Sequence, residues 1–243
     1  MTPEPLRIAM WSGPRNLSTA LMYSFAARPD CAVWDEPFYA AYLRLTGIDH
    51  PMRDQIIATH DSDPARIAAA CAGPAPDGKP IFYQKHMTLH MIPEIDRGFM
   101  RACRNVFLIR HPARVIASYA AKRENPVLAD IGFVQQAALF DEVAAWSGET
   151  PLVVDSADIR ANPRGTLGKL CAALGIPFSQ AMLSWPAGPK PYDGIWAAHW
   201  YPAVHRSTGF DAAEGPLPDL PPDFARLTDQ ALPYYQRLRS LAL

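Results

Sequence analysis

The chain has 243 residues, 49% hydrophobic and 19% charged, a balance and length that fit one large globular core better than two. Its net charge of −1 provides no global positive field for nucleic acid or an anionic membrane surface, so any anion site must be local. Cys31, Cys71, Cys103 and Cys171 stand far apart without a CxxC pair, and neither a leader-like start nor an apolar run of membrane length is evident. These features argue against a zinc site, a disulfide framework and a membrane span, and lead us to expect a cytoplasmic protein.

In chain order, Leu6 to Trp11 is an apolar run closed by Ser12-Gly13-Pro14, the punctuation of a buried strand entering a turn. A helix through Thr19 to Phe25 follows, with Asn16 or Ser18 as its expected cap. Further strands are expected at Ala32 to Trp34, Pro80 to Lys85, Asn105 to Ile109 and Pro151 to Val154. Helices are expected at Ala113 to Lys122, Phe133 to Trp146, Pro163 to Leu174 and Asp223 to Leu241. Continuous apolar strands alternating with helices indicate an α/β fold with a parallel sheet covered on both faces. The 25 prolines cluster in connectors such as 74–80, 186–191 and 216–222, and residues 185–222 read as irregular, so residues 1–243 are expected to form one domain with an irregular late segment and a C-terminal helix.

In such sheets ligands bind at the carboxyl ends of the strands, where Gly13, Glu36, Lys85 and Arg110 all fall. The segment Gly13-Pro14-Arg15-Asn16-Leu17-Ser18-Thr19 is a strand exit, a tight turn and a helix start, which aims backbone N–H groups and the positive helix end at an anion. Arg15 adds a full charge, and Ser18 and Thr19 add hydroxyls. The competing reading is an ordinary βα turn with a solvated arginine. A Walker A loop, GxxxxGK[ST], would place glycine at Ser18 and lysine at Thr19, which weakens a magnesium–nucleotide reading.

Pro14-Arg15-Asn16-Leu17-Ser18-Thr19 resembles the (P/G)xRSGST loop of the sulfotransferases that use 3′-phosphoadenosine 5′-phosphosulfate (PAPS), with Asn16-Leu17 in place of Ser-Gly. Arg110-His111-Pro112-Ala113-Arg114-Val115-Ile116-Ala117-Ser118-Tyr119 resembles that family's 3′-phosphate motif, R-x-P-x-x-V-x-x-S-Y, at every fixed position. Val154-Asp155-Ser156-Ala157-Asp158-Ile159 is similar to a third family fragment, V-x-Y-E-D-L, although Asp155 could also be a metal-holding aspartate after a strand. The resemblance spans roughly residues 6 to 175. It implies a three-layer αβα fold with a central parallel sheet, related to P-loop kinases. It also implies sulfuryl transfer from PAPS to a hydroxyl of a small-molecule or carbohydrate acceptor, with Arg110 and Ser118 holding the 3′-phosphate. An arginine at that strand end suits an anion with no metal between.

Sulfuryl transfer asks for a base near the acceptor hydroxyl and positive charge on the bridging oxygen of the leaving phosphate. Lys85 and Arg15 are candidates for the charge. His86 is one residue earlier than the histidine of the family's K-T-H segment, and Glu36 in Trp34-Asp35-Glu36-Pro37-Phe38 resembles the E-P-F segment of members with a glutamate base. Glu36 is therefore the preferred base and His86 the alternative, while His90, four residues on, reads as a capping or pocket histidine rather than a metal ligand. Family members close a late Arg-Lys-Gly loop over the nucleotide, a role Arg206 and Gly209 are placed to share. Trp185, Tyr192, Trp196 and Trp200 line an acceptor pocket or pin that loop to the core. A P-loop kinase or nucleotide hydrolase, and a non-catalytic nucleotide-binding module, are the rival readings.

Overall fold

The computed structural model describes residues 4–121 and 126–243. Five strands, β1 (Leu6–Ser12), β2 (Cys31–Asp35), β3 (Ile81–Met87), β4 (Arg104–Ile109) and β5 (Leu152–Asp155), form one all-parallel sheet in the order β2-β3-β1-β4-β5. Each strand expected from the apolar runs is present, with its bounds shifted by one or two residues. The helices are α1 (Ser18–Ala26), α2 (Tyr39–Thr46), α3 (Arg53–Thr59), α4 (Pro64–Cys71), α5 (Pro112–Ala120), α6 (Phe133–Ser147), α7 (Ser156–Ala161), α8 (Pro163–Ala173), α9 (Ala197–Trp200), α10 (Pro202–His205) and α11 (Pro222–Arg239). The expected helix end at Lys122 lies outside the described residues.

Alternation along the strands builds the two outer layers. Ile8, Met10, Tyr83, Val106 and Leu108 face one side and pack on α1 and α8 through Leu21, Phe25, Leu167 and Leu170. Ala9, Trp11, Phe107, Ile109 and Val153 face the other side, against Ile67 of α4, Leu139, Phe140 and Val143 of α6, and Leu238 of α11. A satellite cluster joins Tyr39 and Leu43 of α2, Ile56 of α3, Trp196 and Tyr201, tying the late segment to the crossover between β2 and β3. Within residues 185–222 the chain forms α9 and α10, so that stretch is less irregular than its prolines suggest. No helix among the described residues is long and apolar enough to cross a membrane.

Candidate active site

The turn after β1 is held from both sides. Gln136 of α6 donates its amide to Trp11 O (3.2 Å) and Leu108 O (2.8 Å), and Asn16 Nδ2 reaches the same Leu108 carbonyl at 3.3 Å. Asn16 is thus not the cap of α1, and neither is Ser18. The residue before the helix is Leu17, with no side-chain cap. Arg15 (φ 63°) and Leu17 (φ 71°) both adopt the left-handed conformation. Alternating left-handed with ordinary residues curls successive N–H groups into one concavity, the geometry of an anion nest. A Cβ on Gly13 would lie 2.8 Å from the Ile131 carbonyl oxygen, so only glycine lets the segment before α6 pack against the turn.

A cavity of about 450 Å³ opens at the carboxyl ends of β1, β3 and β4. Pro14, Arg15, Asn16, Leu17, Ser18, Thr19, Glu36, Lys85, Arg110, Ser118 and Gly209 line it. Arg15 Nε donates to Ser118 Oγ at 2.8 Å, and Arg110 Nη1 donates to the Arg15 carbonyl at 2.8 Å, so the two anticipated anion segments touch. Burial, then the neighbouring Arg110 charge, pull the Arg15 pKa below the ordinary arginine value. Two half-buried guanidinium groups thus lie side by side, and Arg110 is also paired with the Glu214 carboxylate.

Beside them lies a buried charged cluster. Lys85 Nζ donates to Asp35 Oδ1 (2.9 Å), to Tyr201 Oη (2.8 Å) and to Glu36 Oε1. Tyr201 Oη in turn donates to the Asp35 carboxylate at 2.9 Å and accepts from Trp196 Nε1 at 3.2 Å. Burial opposes the Lys85 charge, but Asp35 and Glu36 outweigh it and hold its pKa above the ordinary lysine value. Glu36 sits at φ 43° and its N–H donates to Lys85 O at 2.9 Å, so the β2–β3 ladder itself fixes the carboxylate beside the lysine. Its second oxygen lies 3.9 Å from His90 Nε2.

Three expectations are displaced. His86 does not line the cavity: as the residue after Lys85 in an extended strand it points to the other sheet face, where it stacks on Trp11 (4.5 Å between centroids). Burial, aided by the nearby Lys85 charge, lowers its pKa to about 3. Arg206 is exposed and outside the cavity, although Gly209 lines it. Asp155, the metal-holding aspartate of the rival reading, also lies outside: it caps α7 through Ala157 N (2.8 Å) and accepts from Tyr235 Oη (2.7 Å), fastening α7 to α11. Of the four late aromatics, Trp200 lines the cavity, whereas Trp185 and Tyr192 pack around Tyr23 and Trp196 is buried behind Tyr201.

The sequence reading also missed residues. Arg160 of α7 lines the cavity, and Arg114 lies one helical turn beyond Arg110; all three arginines converge on Glu214. Arg114 was visible as a second basic residue inside the R-x-P motif, and Arg160 directly follows the third family-like fragment. His90, by contrast, was read as a capping or pocket histidine and does line the cavity, stacked between Tyr39 (4.8 Å) and Tyr42 (4.9 Å), with its buried Nδ1 lacking a hydrogen-bond partner among the described residues. Burial, then the Lys85 charge, pull its pKa well below the ordinary histidine value.

Comparison with known proteins bears on the fold and the family. The chain is 35% identical over 237 residues to branched-chain-amino-acid aminotransferase-like protein 1 of Arabidopsis thaliana, covering 98% of this chain and 42% of that protein. It is 34% identical to protein 2 of the same name, covering 96% and 41%, so the chain spans about two fifths of the length of these relatives. Among solved structures, a sulfotransferase from Alicyclobacillus acidocaldarius superposes with a TM-score of 0.55 at 12% identity, covering 98% of this chain and 96% of that one. The sulfotransferase domain of the Synechococcus PCC 7002 olefin synthase gives 0.53 at 17% identity, covering 95% and 97%. At these identities the two structures establish the fold. The family profile of the sulfotransferase domain matches residues 6–242, and the chain belongs to that family.

Proposed function

We propose that the protein transfers a sulfuryl group from PAPS to a hydroxyl of a small-molecule or carbohydrate acceptor. The observation that carries this reading is the meeting of Arg15, Ser118 and Arg110 in one cavity with Lys85 and Glu36. The donor supplies an activated sulfur and two phosphate-bearing ends; the chain supplies positions for both. The N–H groups of the turn at Arg15 to Thr19 and the Arg15 guanidinium hold the 5′-phosphosulfate end, and Arg110 with Ser118 holds the 3′-phosphate. Lys85, kept protonated by its carboxylate neighbours, places positive charge where the bridging oxygen leaves. Glu36 takes the acceptor proton as the acceptor oxygen bonds to sulfur and the sulfur–phosphate oxygen bond breaks, giving a sulfate ester and adenosine 3′,5′-bisphosphate.

Lys85 itself is not set up for the Schiff-base chemistry that the aminotransferase-like names of the longer relatives would suggest. A Schiff-base lysine must lose its proton, and two carboxylates hold the proton on this one. Turnover of sulfur-labelled PAPS against a panel of phenolic, aliphatic and carbohydrate alcohols tests the proposal. Calorimetry with adenosine 3′,5′-bisphosphate in the presence of EDTA tests the donor site. Absence of both binding and turnover in folded protein would overturn it.

A further inference from the structure

Residues 211–221 cross the surface as a strap without helix or strand, and most of its residues are exposed. Among the described residues, no backbone-to-backbone hydrogen bond fastens positions 211–220. Arginine side chains hold it instead. Arg160 Nε donates to Ala212 O (3.0 Å), and Arg114 Nη2 donates to Gly215 O and to Pro216 O (3.1 Å). The strap's one deeply inserted charge is Glu214, whose side chain is 5% exposed. Its Oε1 accepts from Arg110 Nε (3.0 Å) and Arg160 Nη1 (3.1 Å), and its Oε2 lies 2.8 Å from Arg114 Nε.

Three guanidinium groups thus close on one carboxylate, and the Arg15 carbonyl accepts from one of them, Arg110. The cradle holds more positive charge than its occupant neutralises. Its floor is Arg110, the residue assigned above to the nucleotide's 3′-phosphate, so Glu214 and that phosphate cannot both sit there. We propose that Glu214 is a built-in competitor for the 3′-phosphate: it fills the arginine cradle in the free protein, and the nucleotide binds by expelling it and lifting the strap. This rests on the PAPS reading of the site.

The chemistry favours the exchange. A phosphate monoester near neutral pH carries about −1.5 to −2 charge and three acceptor oxygens, against one charge and two oxygens on the carboxylate. Three guanidinium forks are matched better by the former. A nucleotide with a free 3′-hydroxyl brings no charge to the cradle at that end and leaves Glu214 in place. Because apparent affinity falls by the fraction of molecules in the competent state, a resident carboxylate weakens the hold on both the donor and the product nucleotide, which eases product departure.

The test uses two measurements. Calorimetry compares wild type with Glu214→Gln, which keeps the shape and removes the charge. Adenosine 3′,5′-bisphosphate should bind the variant roughly tenfold more tightly (about 1.4 kcal/mol) while AMP binds both alike. Equal or weaker binding of the bisphosphate by a folded variant would mean that Glu214 buttresses the arginines, and would overturn the proposal. The second measurement needs no substitution: glutamyl endopeptidase cuts after Glu214 only when that side chain leaves its cradle. Saturating adenosine 3′,5′-bisphosphate should speed cleavage of the Glu214–Gly215 bond in wild type, and AMP should not. A bound nucleotide that leaves the bond equally protected, or protects it further, sinks the competitor and leaves the sulfotransferase reading standing. Failure of the bisphosphate to bind either protein would remove both.

Discussion

Replacing Lys85 with methionine keeps most of its volume and removes its charge from a site where the lysine, Asp35 and Glu36 side chains are 2%, 1% and 11% exposed. Removing one partner of a buried ion pair costs about 3–5 kcal/mol, because the charge left behind has neither water nor a counterion. For a chain of this length that is a fall of about 6–20 °C in melting temperature. The defect should depend on pH, with a sign that can be worked out. Burial pushes the Asp35 carboxyl above the usual range, and Lys85 is the largest influence pulling it back. Without Lys85 the folded state keeps its protons to higher pH than the unfolded state, whose carboxylates titrate near pH 4. The folded state then binds more protons, so stability falls as pH rises through that window. Urea unfolding of both proteins between pH 5 and pH 8 should therefore show the gap widening with pH, and adding Asp35→Asn should recover part of it at pH 8. A loss below about 1 kcal/mol that is flat with pH would refute the reasoning, since it would mean that water reaches the carboxylates.

The remaining tests address the donor site and the base. Arg110→Ala should weaken adenosine 3′,5′-bisphosphate binding by about 1.5–3 kcal/mol and shrink the preference over AMP, measured by calorimetry. Arg15→Ala should lower turnover more than it lowers product-nucleotide affinity, because that product lacks the sulfuryl group; equal losses would make Arg15 a ground-state phosphate ligand. Glu36→Gln should reduce the rate about 10²–10⁴-fold with nucleotide affinity nearly constant, as expected for loss of a general base. His86→Asn should leave the rate near wild type and lower the melting temperature, because the ring is packed on Trp11 away from the cavity; the reverse order of rate losses would move the base to His86.

The strand ends were legible because buried parallel strands are short apolar runs that stop at glycine, proline or charge, and the site is built at those stops. Residues 39–71 were not. Helices α2, α3 and α4 have eight, seven and eight residues, too short for a clear period, and α2 and α3 follow Phe38 and Met52 rather than capping residues. Only Asp63-Pro64 ahead of α4 carried a readable start signal. Arg160 and Glu214 escaped because their partnership is long-range: they meet across 54 positions, and Arg110 and Glu214 across 104, so no local pattern marks Glu214 or tells that Arg160 would reach it. The histidines show how one boundary decides a role. While β3 stays extended through Met87, His86 must face away from Lys85, whereas the short turn at Thr88–His90 rotates His90 back into the cavity.

Leu17 carries the argument one step further. The family-like loop pattern has glycine there, so leucine reads as a departure that weakens the match. The backbone nevertheless takes the glycine conformation, at a cost of roughly 1–2 kcal/mol for an L-residue in the left-handed region. Something must hold it there. Asn16 and Gln136 are both bonded to the Leu108 carbonyl, and the Leu17 side chain packs on the core beneath α1. The shape of the turn after β1 is therefore imposed by contacts from β4 and α6. Identity at position 17 is a poor guide to whether the loop can cradle a phosphate; the residues that clamp it are the better one.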